Sequence, residues 1–356
     1  MRGLVPALLA PRGANAPAWM PQEAAAARQV VLLVVDGLGW EQLQERTAIA
    51  PTLAAMSGGP ITTVAPSTTG TALTSITTGL TPGEHGIVGY RMDVGGEVLN
   101  VLRWSTGHGD SRRQIEPAKM QAFEPFMGQR VAVVSKAELE QSAFSEAHLR
   151  GCEPAGWRAA SSLPVVVGNL LRRGDRFVYA YYDGIDKIAH ERGFGAFYDA
   201  ELRAVDQMVA DLQAALPPGA ALLITADHGQ VDVGERLVTP HADVLRLCRH
   251  QSGEGRFRWL HARPGAQPEL LAAATQHHGA QAWVHSRADL IEAGWFGPTV
   301  SPPIAARYGD VALVAHAPIS FDDPADSGPY PLVCRHGSLT SAEMLVPLLA
   351  AAADTR

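Results

Sequence analysis

Short apolar runs, each closed by an acidic, polar or histidine residue, set the pattern of this chain. VVLLVVD closes on Asp36, and the runs at 131–135, 177–183, 221–227 and 311–316 share its unbroken apolar character. Runs of this length without polar alternation suit strands covered on both faces of a parallel sheet. Between them, helical patterns fall at 69–77, 159–172 and 198–215, the second weakened by Pro164. Strands alternating with helices predict an α/β fold, a mostly parallel central sheet sandwiched by helices. Residues 1–28, rich in alanine and proline, read as a loose N-terminal arm.

Two stretches break the alternation. Residues 232–308 hold RFRWLHA, PELLAAATQHH, AWVHS and ADLIEAGWF, which predict a small inserted α+β lid of strand–helix–strand type between core segments 29–231 and 309–356. Residues 91–130 read as a hairpin and an excursion. Either could shape a cover over a site.

Open α/β sheets place ligands beyond the carboxyl ends of their strands. Asp36, Asp183 and Asp227 each follow a strand run, so all three are expected on one edge. His228 adjoins Asp227, Asp186 and His190 stand four apart, and His336 sits at a strand-to-turn position in CRHGS. Singly, each has a bland reading: an Asp before Gly is ordinary turn chemistry, and an Asp-x-x-x-His pair is usually a solvated helix face. Asp36, Asp186, His190, Asp227, His228 and His336 together, with one placement logic, read as a metal site. Mixed carboxylate and imidazole donors suit zinc, with manganese second, over a magnesium or calcium held by oxygens alone. Thr69 opens the hydroxyl-rich segment APSTTGTALTSITTGL. A hydroxyl at a helix N-terminus sits among free N–H groups, well placed for a nucleophile facing phosphate, although Ser67, Thr68 or Thr69 could equally be a simple cap.

Composition narrows the partners. Hydrophobic residues at 46% against 18% charged describe an ordered globular chain. A formal net charge of -7 without any Lys/Arg run excludes a nucleic-acid-tracking surface and leaves a small phosphorylated substrate. Three widely spaced cysteines read as free thiols of a reducing compartment. The apolar start is short and broken by Pro6, so the protein is expected to be cytoplasmic, a weak export signal being the alternative. No apolar run is long enough to span a bilayer. A dinucleotide fingerprint, a P-loop, a G-x-S-x-G elbow and a sulfatase-type Cys-x-Pro-x-Arg are all missing. His85, His108, His241, His250, His277 and His278 show no comparable placement and read as structural or surface residues, His241 being the most open of them.

On these motifs the chain resembles the alkaline phosphatase superfamily, nearest its nucleotide pyrophosphatase/phosphodiesterase branch, over about residues 29–350. TTGLTPGEHGIVGY, the D-x-x-x-H pair and ADHG carry the resemblance. It implies two metal ions, one on Asp186, His190 and His336 and the other on Asp36, Asp227 and His228. Thr69 matches the nucleophile and a ligand of the second ion, with Thr68 as its fallback. Two positions depart from the family pattern: Gly70 stands where nucleotide-cleaving members carry a stacking aromatic, and Tyr90 where they carry a phosphate-binding Asn. The Tyr90 hydroxyl could take over that hydrogen bond. The resemblance implies hydrolysis of a phosphodiester or pyrophosphate through a phosphothreonine intermediate. A phosphomonoesterase or phosphonate hydrolase, with Arg91 as the extra cation, or a phosphotransferase or mutase, are alternatives on the same scaffold.

Overall fold

The computed structural model describes residues 1–11, 15–326 and 331–353. Its main sheet has seven strands in the order Ser57–Thr62, Leu345–Ala352, Ala220–Thr225, Gln29–Val35, Phe177–Tyr182, Ala132–Val134, Glu153–Pro154. Gln29–Val35 lies in the middle, parallel to Ala220–Thr225 on one side and Phe177–Tyr182 on the other. Leu345–Ala352 runs antiparallel to both of its neighbours.

Successive side chains of a strand point to opposite faces, and both faces of this sheet are covered. Val31, Leu33 and Val35 pack with Val167, Val205 and Val209 of the helices Leu163–Arg173 and Ala196–Ala215. Val30, Leu32 and Val34 pack with Leu73 and Ile76 of the helix Thr69–Thr78 and with Phe126. Two-sided burial is why the strand is apolar at every position from Val30 to Val35. Pro164 occupies the first turn of Leu163–Arg173. There a missing N–H breaks no helical bond, so the proline starts this helix instead of weakening it.

The N-terminal arm is docked, not loose. Leu4–Leu8 and Gln22–Ala26 are helical, and the fully buried Leu4 and Val5 join the cluster around Leu73 and Ile76. The run at 311–316 also lands elsewhere than the main sheet. Val311–Ala315 pairs antiparallel with Phe257–Ala262 and Ala282–Ser286 in a second sheet completed by Cys248–Glu254. Leu313 and Ala315 pack with Leu270 and Ala274 of the helix Gln267–His278, while Ala312 and Val314 share a cluster with Phe296 and Tyr308. An unbroken apolar run reports burial on both faces and does not say in which sheet. The expected hairpin is Arg91–Val94 against Glu97–Asn100. Among the described residues no helix is long and apolar enough to cross a membrane.

Candidate active site

Asp36 and Asp227 lie just past the carboxyl ends of adjacent parallel strands, which brings them together. Gly37 turns the chain beside them at φ +73°, where a Cβ would stand 2.9 Å from the Asp186 Cα. Only glycine tolerates both conditions, and the Gly37 N–H donates to Asp227 Oδ1 at 3.1 Å. Asp186 and His190 lie on the helix Gly184–Arg192 that follows the next strand. Asp183, expected on the same edge, does not join them. It ion-pairs with Lys136 at 2.7 Å and Lys187 at 2.5 Å. Burial opposes ionisation of its carboxyl, but the two lysine hydrogen bonds outweigh it and lower its pKa.

Thr69 and His336, far apart in sequence, are joined through Ser67. The Ser67 N–H donates to the Gly337 carbonyl at 3.1 Å, and its hydroxyl donates to the Ser338 carbonyl at 2.6 Å. Thr68 takes the N-cap position in an extended conformation and Thr69 is the first helical residue. Thr69 Oγ1 stands 3.1 Å from His228 Nε2. That nitrogen is also 3.4 Å from Asp36 Oδ1 and 3.4 Å from Asp227 Oδ2. His190 Nε2 is 3.3 Å and His336 Nε2 4.0 Å from Asp186 Oδ1. The His228 and His336 rings stack with centroids 3.6 Å apart. Two groups of donors at this site, Asp36–Asp227–His228 and Asp186–His228–His336, each have ligand atoms within 4.8 Å of one another. His228 is common to both, and His190 approaches the second through Asp186.

The donors fit divalent cations. Asp36 Oδ1 and Asp227 Oδ2 are buried with no hydrogen-bond partner. Burial, then the Asp227 and Asp186 carboxylates, pushes Asp36 well above the usual range; burial also raises Asp227. Two neighbouring buried acids in that condition call for a positive charge between them. The imidazoles are oriented as ligands: His190, His228 and His336 each engage a backbone carbonyl through Nδ1, those of Cys334, Gly229 and Ser67, at 2.7, 3.0 and 2.9 Å. Such bonds fix the tautomer that leaves the Nε2 lone pair facing the site. Burial, with His228 and His190 adding to it, holds His336 well below its ordinary value and therefore neutral.

Sequence reasoning missed the supporting residues. The Tyr181 hydroxyl donates to Asp36 Oδ2, and Gln230 Nε2 donates to Asp186 Oδ1 at 2.9 Å. Gln230 directly follows ADHG and could have been flagged by adjacency, whereas Tyr181 reads as an ordinary strand aromatic.

A 420 Å³ cavity opens over the cluster, lined among others by Thr69, Tyr90, Arg103, Lys187, Glu254 and Arg335. Tyr90 is thus at the site, and burial raises its phenol pKa, so the hydroxyl stays a donor. Arg91, considered as the extra cation, is consumed elsewhere: it is buried and bonds Asp323 at 2.6 Å in a neighbouring cleft. Gly70 packs under Val101, whose Cγ1 would lie 3.2 Å from a Cβ there, so a side chain at this position would have to displace Val101. The histidines set aside from the sequence include fold contacts: His85 Nε2 meets the Ser75 hydroxyl at 2.8 Å, and His250 Nε2 meets Asp93 Oδ2 at 2.8 Å.

A family model described as type I phosphodiesterase / nucleotide pyrophosphatase matches residues 30–338. The chain belongs to this family. Its fold is that of the alkaline phosphatase superfamily. Murine ectonucleotide pyrophosphatase / phosphodiesterase 5, solved as an inactive threonine-to-alanine variant with AMP, superposes with a TM-score of 0.68 at 15% identity, over 91% of this chain and 88% of that one. The human counterpart gives 0.68 at 18% identity over the same shares. Phosphonoacetate hydrolase from Sinorhizobium meliloti 1021, in complex with phosphonoformate, gives 0.65 at 16% identity over 93% and 92%. No curated protein sequence matches significantly. Family membership makes phosphoester hydrolysis the activity class of this scaffold.

Proposed function

We propose that the chain is a two-metal hydrolase that cleaves a phosphodiester or pyrophosphate of a small molecule through a phosphothreonine intermediate on Thr69. The observation that carries this reading is the Thr69 hydroxyl at the head of its helix, 3.1 Å from His228 Nε2 and beside two unpartnered carboxylate oxygens. Asp36, Asp227 and His228 would hold one ion, Asp186, His190 and His336 the other, zinc being the best match to the donors and manganese the next. Bound there, such a pair supplies Lewis acidity to the attacking and leaving oxygens of an in-line displacement. The chain's own groups do the rest. Thr69 Oγ1 forms the new bond to phosphorus as the ester or anhydride oxygen departs, and water then cleaves the phosphothreonine. N–H groups of the first helical turn and the Tyr90 hydroxyl are the donors available to the non-bridging oxygens.

The AMP and phosphonoformate held by the two structural relatives support a small phosphorylated substrate. A phosphonate hydrolase is the second reading, favoured by Gly70, which offers no aromatic surface to a nucleobase. Zinc- or manganese-loaded protein should hydrolyse bis-p-nitrophenyl phosphate faster than p-nitrophenyl phosphate. Thr69→Ala should lose roughly a thousandfold or more of that rate while retaining its metal. Faster monoester turnover would reject the diesterase assignment, and an active Thr69→Ala enzyme would reject the nucleophile.

A further inference from the structure

Buried guanidinium groups around the insert are matched to acceptors. Arg256 bonds both oxygens of Glu343 at 2.7 and 2.8 Å, Arg91 bonds Asp323, and Arg258 donates to the Phe321 carbonyl at 3.0 Å and meets Asp326 at 3.5 Å. Arg335 breaks the pattern. It is half-buried, its Nε is inaccessible and without a partner, and no side-chain hydrogen bond reaches it among the described residues. Gly255 packs against the Ser320 hydroxyl and this guanidinium, both of which a Cβ would meet, the guanidinium Nη1 at 3.1 Å.

An unpaired, partly desolvated guanidinium is costly unless something answers it, and this one lines the same cavity as Thr69 and His336. Arg103 stands exposed on that cavity with no ion pair among the described residues, whereas Lys187 is already engaged by Asp183. Asp326 also lines the cavity and attracts Arg335 electrostatically, but the guanidinium it ion-pairs with is that of Arg258, at 3.5 Å. The oxygens of a transferred phosphoryl group are provided for by the metal-ligand cluster and the helix head. A volume of 420 Å³ holds more than a phosphoryl group. The positive charge of Arg335 and Arg103 in the wall is then available to another part of the ligand.

We infer that Arg335, assisted by Arg103, recognises an anionic group on the leaving side of the substrate, a phosphate or carboxylate separate from the phosphorus that Thr69 attacks. This rests on the phosphoryl-transfer reading above and narrows its substrate class: compounds whose leaving portion carries its own negative charge are favoured over neutral aryl or alkyl esters. Arginine suits the task, since its planar fork meets a carboxylate or phosphate with two parallel hydrogen bonds.

The test uses the zinc-loaded Thr69→Ala protein, which binds without turnover, and calorimetric titration with methylenediphosphonate, phosphonoacetate and methylphosphonate. One or both of the first two should bind at least about tenfold tighter than methylphosphonate, the scale of one charge-assisted contact. Whichever does so identifies phosphate or carboxylate as the preferred group. Adding Arg335→Met should shrink that preference to roughly threefold or less, and Arg335→Lys should keep part of it. Zinc content is measured in each variant, because a displaced His336 would lower it and a lost anion contact would not. Equal affinities for the three ligands, or an equal loss for all three in Arg335→Met, overturns the inference. The phosphoryl-transfer reading fails separately, if the enzyme with Thr69 intact hydrolyses no phosphorus ester although its ligand preferences are as described.

Discussion

Thr69 takes the first position of its helix, so its hydroxyl faces His228, while Thr68 holds the extended cap position one residue earlier. Adjacent threonines in one motif are indistinguishable by composition, and the helix start separates them. Thr68→Ala should therefore cost less than about tenfold in turnover where Thr69→Ala costs a thousandfold or more. Steady-state kinetics on one diester substrate compares the two; equal losses would contradict the assignment. Glu254 makes the opposite point, because it belongs to no motif. It is buried, one oxygen accepts the Tyr90 N–H at 3.0 Å, the other has no partner, and burial pushes its carboxyl from 4.5 up to about 8. With the folded value above the unfolded one, its contribution to stability is complete below about 4.5, declines as pH rises and is gone above about 8. Glu254→Gln removes that slope, worth on the order of a few kcal/mol. Melting curves across this window should show the variant gaining steadily on the wild type toward alkaline pH, and parallel curves would refute the effect.

At the scale of elements, an ion pair fastens the insert to the segment that follows His336. Arg256, in the turn between Cys248–Glu254 and Phe257–Ala262, and Glu343 are both fully buried. Glu343 Oε1 also accepts the Ser338 N–H at 2.9 Å, two residues after His336. Glu343→Ala leaves a buried guanidinium unpaired, at a cost of about 3–5 kcal/mol, and loosens the His336 loop. Urea unfolding should show the loss and zinc titration a weaker affinity; a variant as stable as the wild type would argue that the pair is solvated. Nothing in the sequence pairs Arg256 with Glu343, because burial of a charged residue leaves no trace in periodicity. The strands ending at Asp36 and Asp227 were legible for the converse reason: burial on both faces writes a continuous apolar run, and the acid closing it marks the sheet edge. The same rule sent Val311–Ala315 to the wrong sheet, since its burial is real and its partners are not local. Asp183 failed similarly: its strand end was read correctly, but Lys136 and Lys187, on other elements, decide what its carboxylate does.

For the whole molecule, the main tension is charge buried where the strands of the main sheet end. Parallel packing requires those strand ends to be dry, yet they deliver Asp36 and Asp227, each with an oxygen that no protein group satisfies. The Tyr181 hydroxyl on Asp36 and the Gly37 and His228 N–H groups on Asp227 satisfy only the other oxygen of each carboxylate. Without ions the folded state must hold these carboxylates either charged against one another or protonated, and both cost stability; with ions it is stabilised by mass action as RT ln(1 + [L]/Kd). Two effects with opposite signs should follow from Asp36→Asn. In chelator the variant should melt above the chelated wild type, because one of two repelling buried charges is gone. On adding zinc the order should reverse, because a ligand to one ion is lost and the wild type gains more. Scanning calorimetry of both proteins with and without zinc measures the crossing. If chelated Asp36→Asn melts below chelated wild type, the buried carboxylates are not the source of strain in the metal-free fold. If zinc raises both equally, Asp36 does not hold an ion.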